Sequence, residues 1–453
     1  MPVDIVIAPH SEAFVHVWTS PGIERELSEA FSYEVPGAKY MRGPQRKYWN
    51  GKVSLYHRTT KLIYAGLLRH VVQWAESKGY SVKSKVTTSR TAWTDLDTAA
   101  LCAEYPTSFE LRDYQREAIT HALAEQRCVL LSPTASGKSA IVYYLVRERM
   151  KSGPVLIIVP NISLVRQLVE DFRQYGWTDV DDHVHQITGG VSKRTGKPVV
   201  CSTWQSIFKQ PDEWFTRFHS VIGDEAHLHK ADSLKGILER MPWTPFRVGV
   251  TGTLDDIKSH ALVVQGVFGP VHRVAKTKDL QVQGHLTPIR VQSHMLEYGP
   301  YDRWTIREHY RTYQEEMDYI VQHPGRMAWI TDFVQQLRGN VLVLFQYVEK
   351  HGVPLYQSVC QAVAGQRPVY FVSGDVDGDT REQIRALVES AEHIVLSFGE
   401  KEIRCVPDEL VPLSSGESVP ANEITIDMDV DDRWLLNRSK ELFQISASVT
   451  PTT

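Results

Sequence analysis

Between about positions 105 and 285, short runs of apolar and β-branched residues alternate with longer segments whose apolar residues recur at helical spacing. The runs predict strands at Cys128–Ser132, Val155–Pro160, Pro198–Ser202, Val221–Asp224 and Arg247–Thr251. The spacing between them predicts helices that include Ser139–Lys151 and Ser163–Tyr175. Strands that are apolar along their whole length are buried on both faces, and crossover helices between them make the sheet parallel. A shorter alternation follows, with a helical pattern over Arg303–Leu337, strand Val341–Phe345, helix Leu355–Ala364, strand Val369–Val372, helix Thr380–Ser390 and strand His393–Leu396. It breaks off after Ser397-Phe398-Gly399.

This pattern gives an α/β chain in four parts. Residues 1–100 form a small α+β domain, 101–285 a parallel-sheet lobe, 286–400 a second and incomplete lobe, and 401–453 a divergent acidic tail. The tail's middle, Pro412–Asp432, is rich in Ser, Pro, Glu and Asp and is expected to be weakly ordered, with a short helix at Arg433–Leu442. A length of 453 residues with 42% hydrophobic and 23% charged residues supplies a core for about three domains. The longest apolar runs are strand-length, whereas a membrane helix needs about 20 apolar residues. The opening Met1-Pro2-Val3-Asp4 does not read as a signal peptide. The five cysteines lie far apart with no Cys-x-x-Cys pair, which excludes a disulfide framework or zinc knuckle and fits a reducing cytoplasm.

A net charge of −4 says nothing about nucleic acid, so any such binding must be local. Positions 39–69 carry Lys39, Arg42, Arg46, Lys47, Lys52, Arg58, Lys61 and Arg69 with no acidic residue, and Tyr40, Tyr48, Trp49, Tyr56 and Tyr64 are threaded among them. Cations release counterions from DNA, and aromatics can stack on exposed bases. Arg42, Arg46, Lys47, Trp49 and Lys52 are therefore expected to contact DNA, while Tyr56 and Tyr64 are expected in the core.

The chemistry centres on Ser132-Pro133-Thr134-Ala135-Ser136-Gly137-Lys138-Ser139, between a predicted strand and a predicted helix. A phosphate chain needs inward backbone N–H groups, a helix N-terminus, a lysine and a hydroxyl for the metal. Thr134, Ala135, Ser136 and Gly137 supply the turn, Lys138 reaches the β/γ-phosphates, and Ser139 ligates Mg2+. Glycine usually stands where Ser132 is, and taken alone the segment also fits an ordinary turn. Asp224-Glu225-Ala226-His227 ends a later strand of the same sheet and faces the same crevice. Asp224 would hold the metal and Glu225 would deprotonate the attacking water. Upstream, Arg112 and Gln115 in Leu111-Arg112-Asp113-Tyr114-Gln115 can recognise adenine, and Thr251 and Thr253 can sense the γ-phosphate. Gly189, Gly190 and Thr203, in Thr188-Gly189-Gly190 and Ser202-Thr203-Trp204-Gln205, sit on loops that can grip a nucleic-acid backbone without reading bases.

This ordered set resembles the superfamily-two helicases of the DEAH-box kind. It is most similar to the UvsW-type recombination helicases of tailed phages, through Arg46–Lys52, Thr203-Trp204-Gln205-Ser206, Lys209–Phe215, Thr312–Glu316 and Tyr370–Val376. The resemblance covers roughly residues 1–400. It implies a DNA-binding N-terminal domain followed by two RecA-like lobes, with ATP and Mg2+ as cofactors and ATP in the crevice between lobes. It also implies DNA contact at Ser373 and Gly374, and a role for His227 in coupling nucleotide state to the second lobe. DNA, as duplex, fork or branched junction, is the implied partner, alongside recombination or replication proteins. The implied location is the cytoplasm of a bacterial or phage-infected cell, with no membrane contact.

Two motifs of the family's second lobe are missing after Gly399: a Ser/Thr-Thr-Gly strand-loop and a Gln-x-x-Gly-Arg-x-x-Arg helix. The sequence after about Glu400 is therefore expected to be a replaced or truncated end. Three readings follow. The first is an ATP-dependent DNA helicase or branched-DNA translocase, the second a nucleotide-gated DNA-binding protein with little turnover. The third is a nuclease-linked motor subunit that takes its arginine from a partner.

Overall fold

The structure, a computed structural model, describes residues 3–34, 51–86, 90–133, 136–226, 231–254, 258–282, 291–310, 312–364, 366–374, 376, 380–381, 383–384, 387–388, 395–398, 410–412, 418–420 and 424–427. The chain divides into two compact units, Met1–His285 and Leu286–Thr453.

The first unit opens with strands β1 (Ile5–Pro9), β2 (Phe14–Thr19), β3 (Ser32–Glu34), β4 (Lys52–Ser54), β5 (Tyr56–His57), β6 (Leu62–Tyr64) and β7 (Val82–Ser84). Five of these make one sheet in the order β5-β6-β2-β1-β7, while β3 and β4 pair separately. Alternation sends Ile5, Ile7, Val15, Val17 and Ile63 to one face, where Leu27 from helix Pro21–Ala30, Phe31 just after it, and Val71 and Ala75 from helix Leu68–Ser77 cover them. Tyr56 and Tyr64 are buried, as expected from the sequence. This small sheet is joined to the larger lobe. Glu12 N–H donates to Pro242 O at 2.9 Å, Arg127 donates to the Glu12 carbonyl, and Gly66 lies so close to helix Lys258–Phe268 that a Cβ there would stand 2.1 Å from Gln265 O.

The lobe contains β8 (Arg127–Leu131), β9 (Val155–Val159), β10 (Val184–Ile187), β11 (Val199–Thr203), β12 (Ser220–Asp224), β13 (Phe246–Thr251) and β14 (Val271–Arg273). All neighbours are parallel, in the order β10-β11-β9-β12-β13-β8-β14. The five strands expected from the sequence appear within a residue or two of their expected bounds. The outer strands β10 and β14 do not stand out in the sequence, because Val-His-Gln-Ile and Val-His-Arg lack an apolar run. Arg247 is fully buried yet satisfied: its guanidinium donates to Thr244 O at 3.0 Å, Leu238 O at 3.1 Å and Met241 O. Gly223 and Gly249 are register partners on β12 and β13, and together they form a socket for the Phe268 ring.

In the second unit, β16 (Val341–Leu344), β17 (Val369–Val372) and β18 (Val395–Phe398) form a parallel three-stranded sheet ordered β16-β18-β17, and β15 (Val291–His294) lies outside it. The helical stretch expected over Arg303–Leu337 is three helices, Pro300–His309, Tyr313–Gln322 and Pro324–Gln336. A capping box between Thr312 and Glu315 starts the second, and Pro324, which lacks an amide hydrogen, can only start the third. The helix expected at Leu355–Ala364 is Val353–Ala362, and the last strand begins two residues later than expected. Within the stretch expected to be weakly ordered, the β-branched run Ile424-Thr425-Ile426 forms strand Ile424–Asp427, parallel to β15. The expected helix Arg433–Leu442 lies outside the described residues.

A Cβ on Gly223 would stand 2.7 Å from Phe268 Cζ. Gly223→Ala should therefore lower the thermal unfolding midpoint by the equivalent of about 1–3 kcal/mol, and Phe268→Leu in the same chain should recover part of the loss. An unchanged midpoint in the single variant would show that the socket is not tight.

Candidate nucleotide site

Strand β8 ends at Leu131, and the next residue is fixed at once by Ser132 N–H donating to Thr251 O on β13 at 2.8 Å. The turn beyond it is held from inside and outside. Within it the Ser132 and Ser136 hydroxyls share a hydrogen bond of 2.6 Å, and Ser136 Oγ donates to Pro133 O. From outside, Ser136 O accepts from Gln115 Nε2 at 2.8 Å and from Tyr114 OH at 3.1 Å. Gln115 Oε1 accepts from Arg112 N–H at 2.9 Å, and Arg112 Nη1 donates to Tyr114 OH at 2.7 Å. Gly137 adopts φ +78°, and a Cβ there would meet Gln115 Nε2 at 2.2 Å, so glycine is required on two counts. Helix Lys138–Arg149 starts at this point, and the first amides of any helix lack intrahelical acceptors, which suits them to an anion.

Strand β12 delivers Asp224 and Glu225 to the same edge. Glu225 N–H donates to Asp224 Oδ1 at 3.0 Å, and Ala226 N–H donates to Val250 O at 3.1 Å. Glu225 takes left-handed backbone with φ +47°. Its carboxylate accepts from Lys138 Nζ through Oε1 and from Gly252 N–H through Oε2 at 3.4 Å. With side-chain exposures of 13% and 11%, Lys138 and Glu225 form an ion pair largely shielded from water. One carboxylate thus joins the phosphate-loop lysine to the Thr251-Gly252-Thr253 turn. The Ser139 hydroxyl shares a 2.7 Å hydrogen bond with Tyr175 OH. Burial pushes the Tyr175 phenol up while the Ser139 contact pulls it down, and the net shift is upward, so it stays protonated. Its ring packs edge-on against Phe109, centroids 4.9 Å apart.

The strand order divides the carboxyl edge into two halves. Strands β12, β13 and β8 bring Asp224-Glu225, the Thr251 turn and the Lys138 loop together. Strands β10 and β11, at the other end of the sheet, bring Gly189, Gly190 and Thr203 to the same edge.

Comparison with known proteins fits this layout. The family described as type III restriction enzyme, res subunit, matches residues 108–256. The ATP-dependent DNA helicase uvsW of Enterobacteria phage T4 is 30% identical over 88% of this chain and 81% of its own length. The chain belongs to the UvsW helicase family. Two crystal structures of bacteriophage T4 UvsW align with it. One has a TM-score of 0.56 at 27% identity, covering 88% of this chain and 80% of that one. The other has a TM-score of 0.55 at 28% identity, covering 60% of this chain and all of that one. The DNA 3'-5' translocase XPB2 of Sulfurisphaera tokodaii is 34% identical over 32% of this chain and 31% of its own length.

Within this UvsW-family frame, the expected residues fall into three groups. Arg112, Gln115, Ser136, Gly137, Lys138, Ser139, Asp224, Glu225, Thr251 and Thr253 gather at the half of the edge formed by β12, β13 and β8. Gln115, only 4% exposed, has both ends of its amide engaged and acts as a brace on the loop. Thr251 donates its hydroxyl to Thr253 O at 2.8 Å. In the second group, Gly189 and Gly190 are exposed. Thr203 is buried, and its hydroxyl caps helix Trp204–Ile207 by accepting from Ser206 N–H at 3.3 Å. Ser373 and Gly374 follow β17, Ser373 buried and Gly374 exposed, and Arg381 Nη2 donates to Ser373 O at 2.8 Å. Lys52 is exposed at the start of β4. Thr134, Ala135, His227, Arg42, Arg46, Lys47 and Trp49 lie outside the described residues.

Two side chains at the site were not singled out from the sequence. Tyr114 sits inside the Leu-Arg-Asp-Tyr-Gln segment, where its neighbours' spacing marks the place but not its reach to Ser136. Tyr175 ends the amphipathic helix Ile162–Gln174 and reaches Ser139 from 36 positions away, which no local pattern signals. No helix among the described residues is long and apolar enough to cross a membrane.

Gly137→Ala should displace the Gln115 amide and force a left-handed alanine, costing about 1–3 kcal/mol in thermal stability. Adding Gln115→Ala should recover the steric part only. A single variant that unfolds at the parent temperature would refute the close approach.

Proposed function

We propose that this chain is an ATP-dependent DNA helicase or branched-DNA translocase that couples ATP hydrolysis to movement on DNA in recombination, repair or fork processing. The observation that carries the reading is the Lys138–Glu225 pair, set at the carboxyl edge of a parallel sheet beside Asp224 and a helix N-terminus. Membership of the UvsW family supports ATP-driven work on DNA.

The donor set fits a nucleotide with Mg2+. Main-chain amides at the start of helix Lys138–Arg149 and the Lys138 ammonium suit phosphate oxygens. The Ser139 hydroxyl and the Asp224 carboxylate are hard oxygen ligands suited to magnesium. The bound metal ion would supply charge neutralisation at the phosphates. Tyr175 orients the Ser139 hydroxyl from behind. Arg112 and Gln115, which brace the loop, would also face adenine, with Thr134 and Ala135 completing the turn.

Lys138 can leave Glu225 for phosphate, which frees Glu225 Oε1 to take a proton from water. The Gly252 amide keeps the carboxylate aimed through Oε2. The same amide ties the carboxylate to the turn carrying Thr251 and Thr253, so a change at the phosphate reaches that turn, with His227 as a further coupling residue. Gly189, Gly190, Thr203, Ser373 and Gly374 would hold the DNA backbone without reading bases. Arg42, Arg46, Lys47 and Lys52 would add phosphate contacts, and Trp49 a stacking surface. Recombination or replication proteins and the cytoplasm of a bacterial host complete the setting, in keeping with the phage origin of the 30% identical relative.

ATP hydrolysis with and without forked DNA tests the reading. DNA should stimulate turnover. Glu225→Gln should reduce it by about 10²–10⁴-fold while nucleotide still binds, and Lys138→Ala should abolish both. Tight binding of ATP and DNA with turnover no faster than in these variants would favour the nucleotide-gated binding protein instead. Separately, replacing Arg46 and Lys47 by alanine should weaken DNA binding and reduce the slope of log affinity against log salt by about 2. An unchanged slope removes that stretch from the DNA interface.

A further inference from the structure

The N-terminal sheet buries one face under its two helices, and its other face carries chemistry that the motor reading does not use. Register partners in a sheet point to the same side, so pairing defines rows across this face. One row runs Lys83, Val6, Trp18 and the next runs Ala8, His16, Leu62, His57. Neither row contains a carboxylate. His16 and Trp18 stack with ring centroids 4.7 Å apart and planes inclined by 14°, and His10 meets His16 edge-on at 4.8 Å. Trp18 is nevertheless 43% exposed, and His16 Nδ1 is enclosed without a hydrogen-bond partner among the described residues. Lys85 continues the β7 edge, with its N–H donating to Ile7 O at 2.8 Å, and alternation puts it on the same side as Lys83. Both lysines are exposed and, among the described residues, neither enters an ion pair.

We propose that this open face binds single-stranded DNA, with bases stacked on the Trp18–His16 pair and backbone phosphates held by Lys83 and Lys85. Each part of the face fits that occupant. An aromatic stack open to solvent offers a base the surface it loses on leaving a duplex, and apolar Val6, Ala8 and Leu62 provide a floor that does not compete for hydrogen bonds. The lysines at one margin match the negative charge of a strand running beside the stack. A duplex keeps its base faces hidden and gains nothing from Trp18, and an acidic peptide would not use the stack. The inference rests on the motor reading only for the polymer being DNA, and it adds a contact separate from the loops at the carboxyl edge of the large sheet.

The test uses the full chain and fluorescence anisotropy with a labelled oligothymidylate, a labelled blunt hairpin duplex and a labelled oligouridylate, with duplex-stimulated ATP hydrolysis recorded on the same samples. Trp18→Ala should weaken oligothymidylate binding about tenfold, and Trp18→Phe should restore most of it. Lys83→Glu, an exposed substitution that leaves the stack in place, should also weaken oligothymidylate binding and flatten its salt dependence. Duplex affinity and duplex-stimulated hydrolysis should remain at parent values in all three variants. The proposal is overturned by unchanged oligothymidylate affinity in both Trp18→Ala and Lys83→Glu, or by equal weakening of duplex and single strand. A larger loss for oligouridylate than for oligothymidylate overturns the choice of DNA. Failure of the motor reading would instead appear as no DNA-stimulated hydrolysis in the unsubstituted chain, which these affinities do not enter.

Discussion

The parallel pairing of β8, β13 and β12 is the constraint on which the site depends. Thr251 is in register with Leu131, and Val250 with Asp224, so the residues after these positions emerge side by side. Two backbone hydrogen bonds extend that order past the strand ends, from Ser132 to Thr251 and from Ala226 to Val250. A lysine on one loop and a carboxylate on another can then form a largely buried ion pair. Breaking one partner of such a pair strands the other charge, so each end of the pair holds the other in place.

The same sheet also explains how distant parts of the surface can act together. Its carboxyl edge carries the phosphate-type loop at one end and the Gly189 and Thr203 loops at the other, joined by strands that are buried along their length. The paired glycines Gly223 and Gly249 let Phe268 pack directly on the two strands that bear Asp224 and Thr251. A rigid middle with functional loops at one rim is what a motor lobe needs, because only the rim has to respond to ligands.

Much of this was legible in the sequence where one local rule dominated. Full-length apolar runs announced the five inner strands, and Ser136-Gly137-Lys138-Ser139 and Asp224-Glu225 announced their loops. Outer strands were harder, since β10 and β14 are half-polar and are fixed by their neighbours. The helical stretch from Arg303 onward looked continuous because apolar spacing survives a break, although Thr312 and Pro324 held the stop signals. The braces were not legible at all. Gln115 on Ser136 and Tyr175 on Ser139 are contacts across many positions, and a side chain's reach depends on backbone placement that periodicity does not encode. The small N-terminal sheet was legible as mixed α+β, but its β1–β7 pairing, and hence its open face, joins residues far apart in the chain.

Glu225 has a left-handed backbone, a conformation that disfavours any residue with a side chain by about 1–2 kcal/mol. Glycine at that position would relax the main chain and delete the acid. That gain is smaller than the cost of leaving the largely buried Lys138 ammonium without its partner, so the acid that serves the chemistry also serves the fold. A lineage therefore has no thermal incentive to trade this glutamate away, and the strained main chain persists because an opposite charge anchors it.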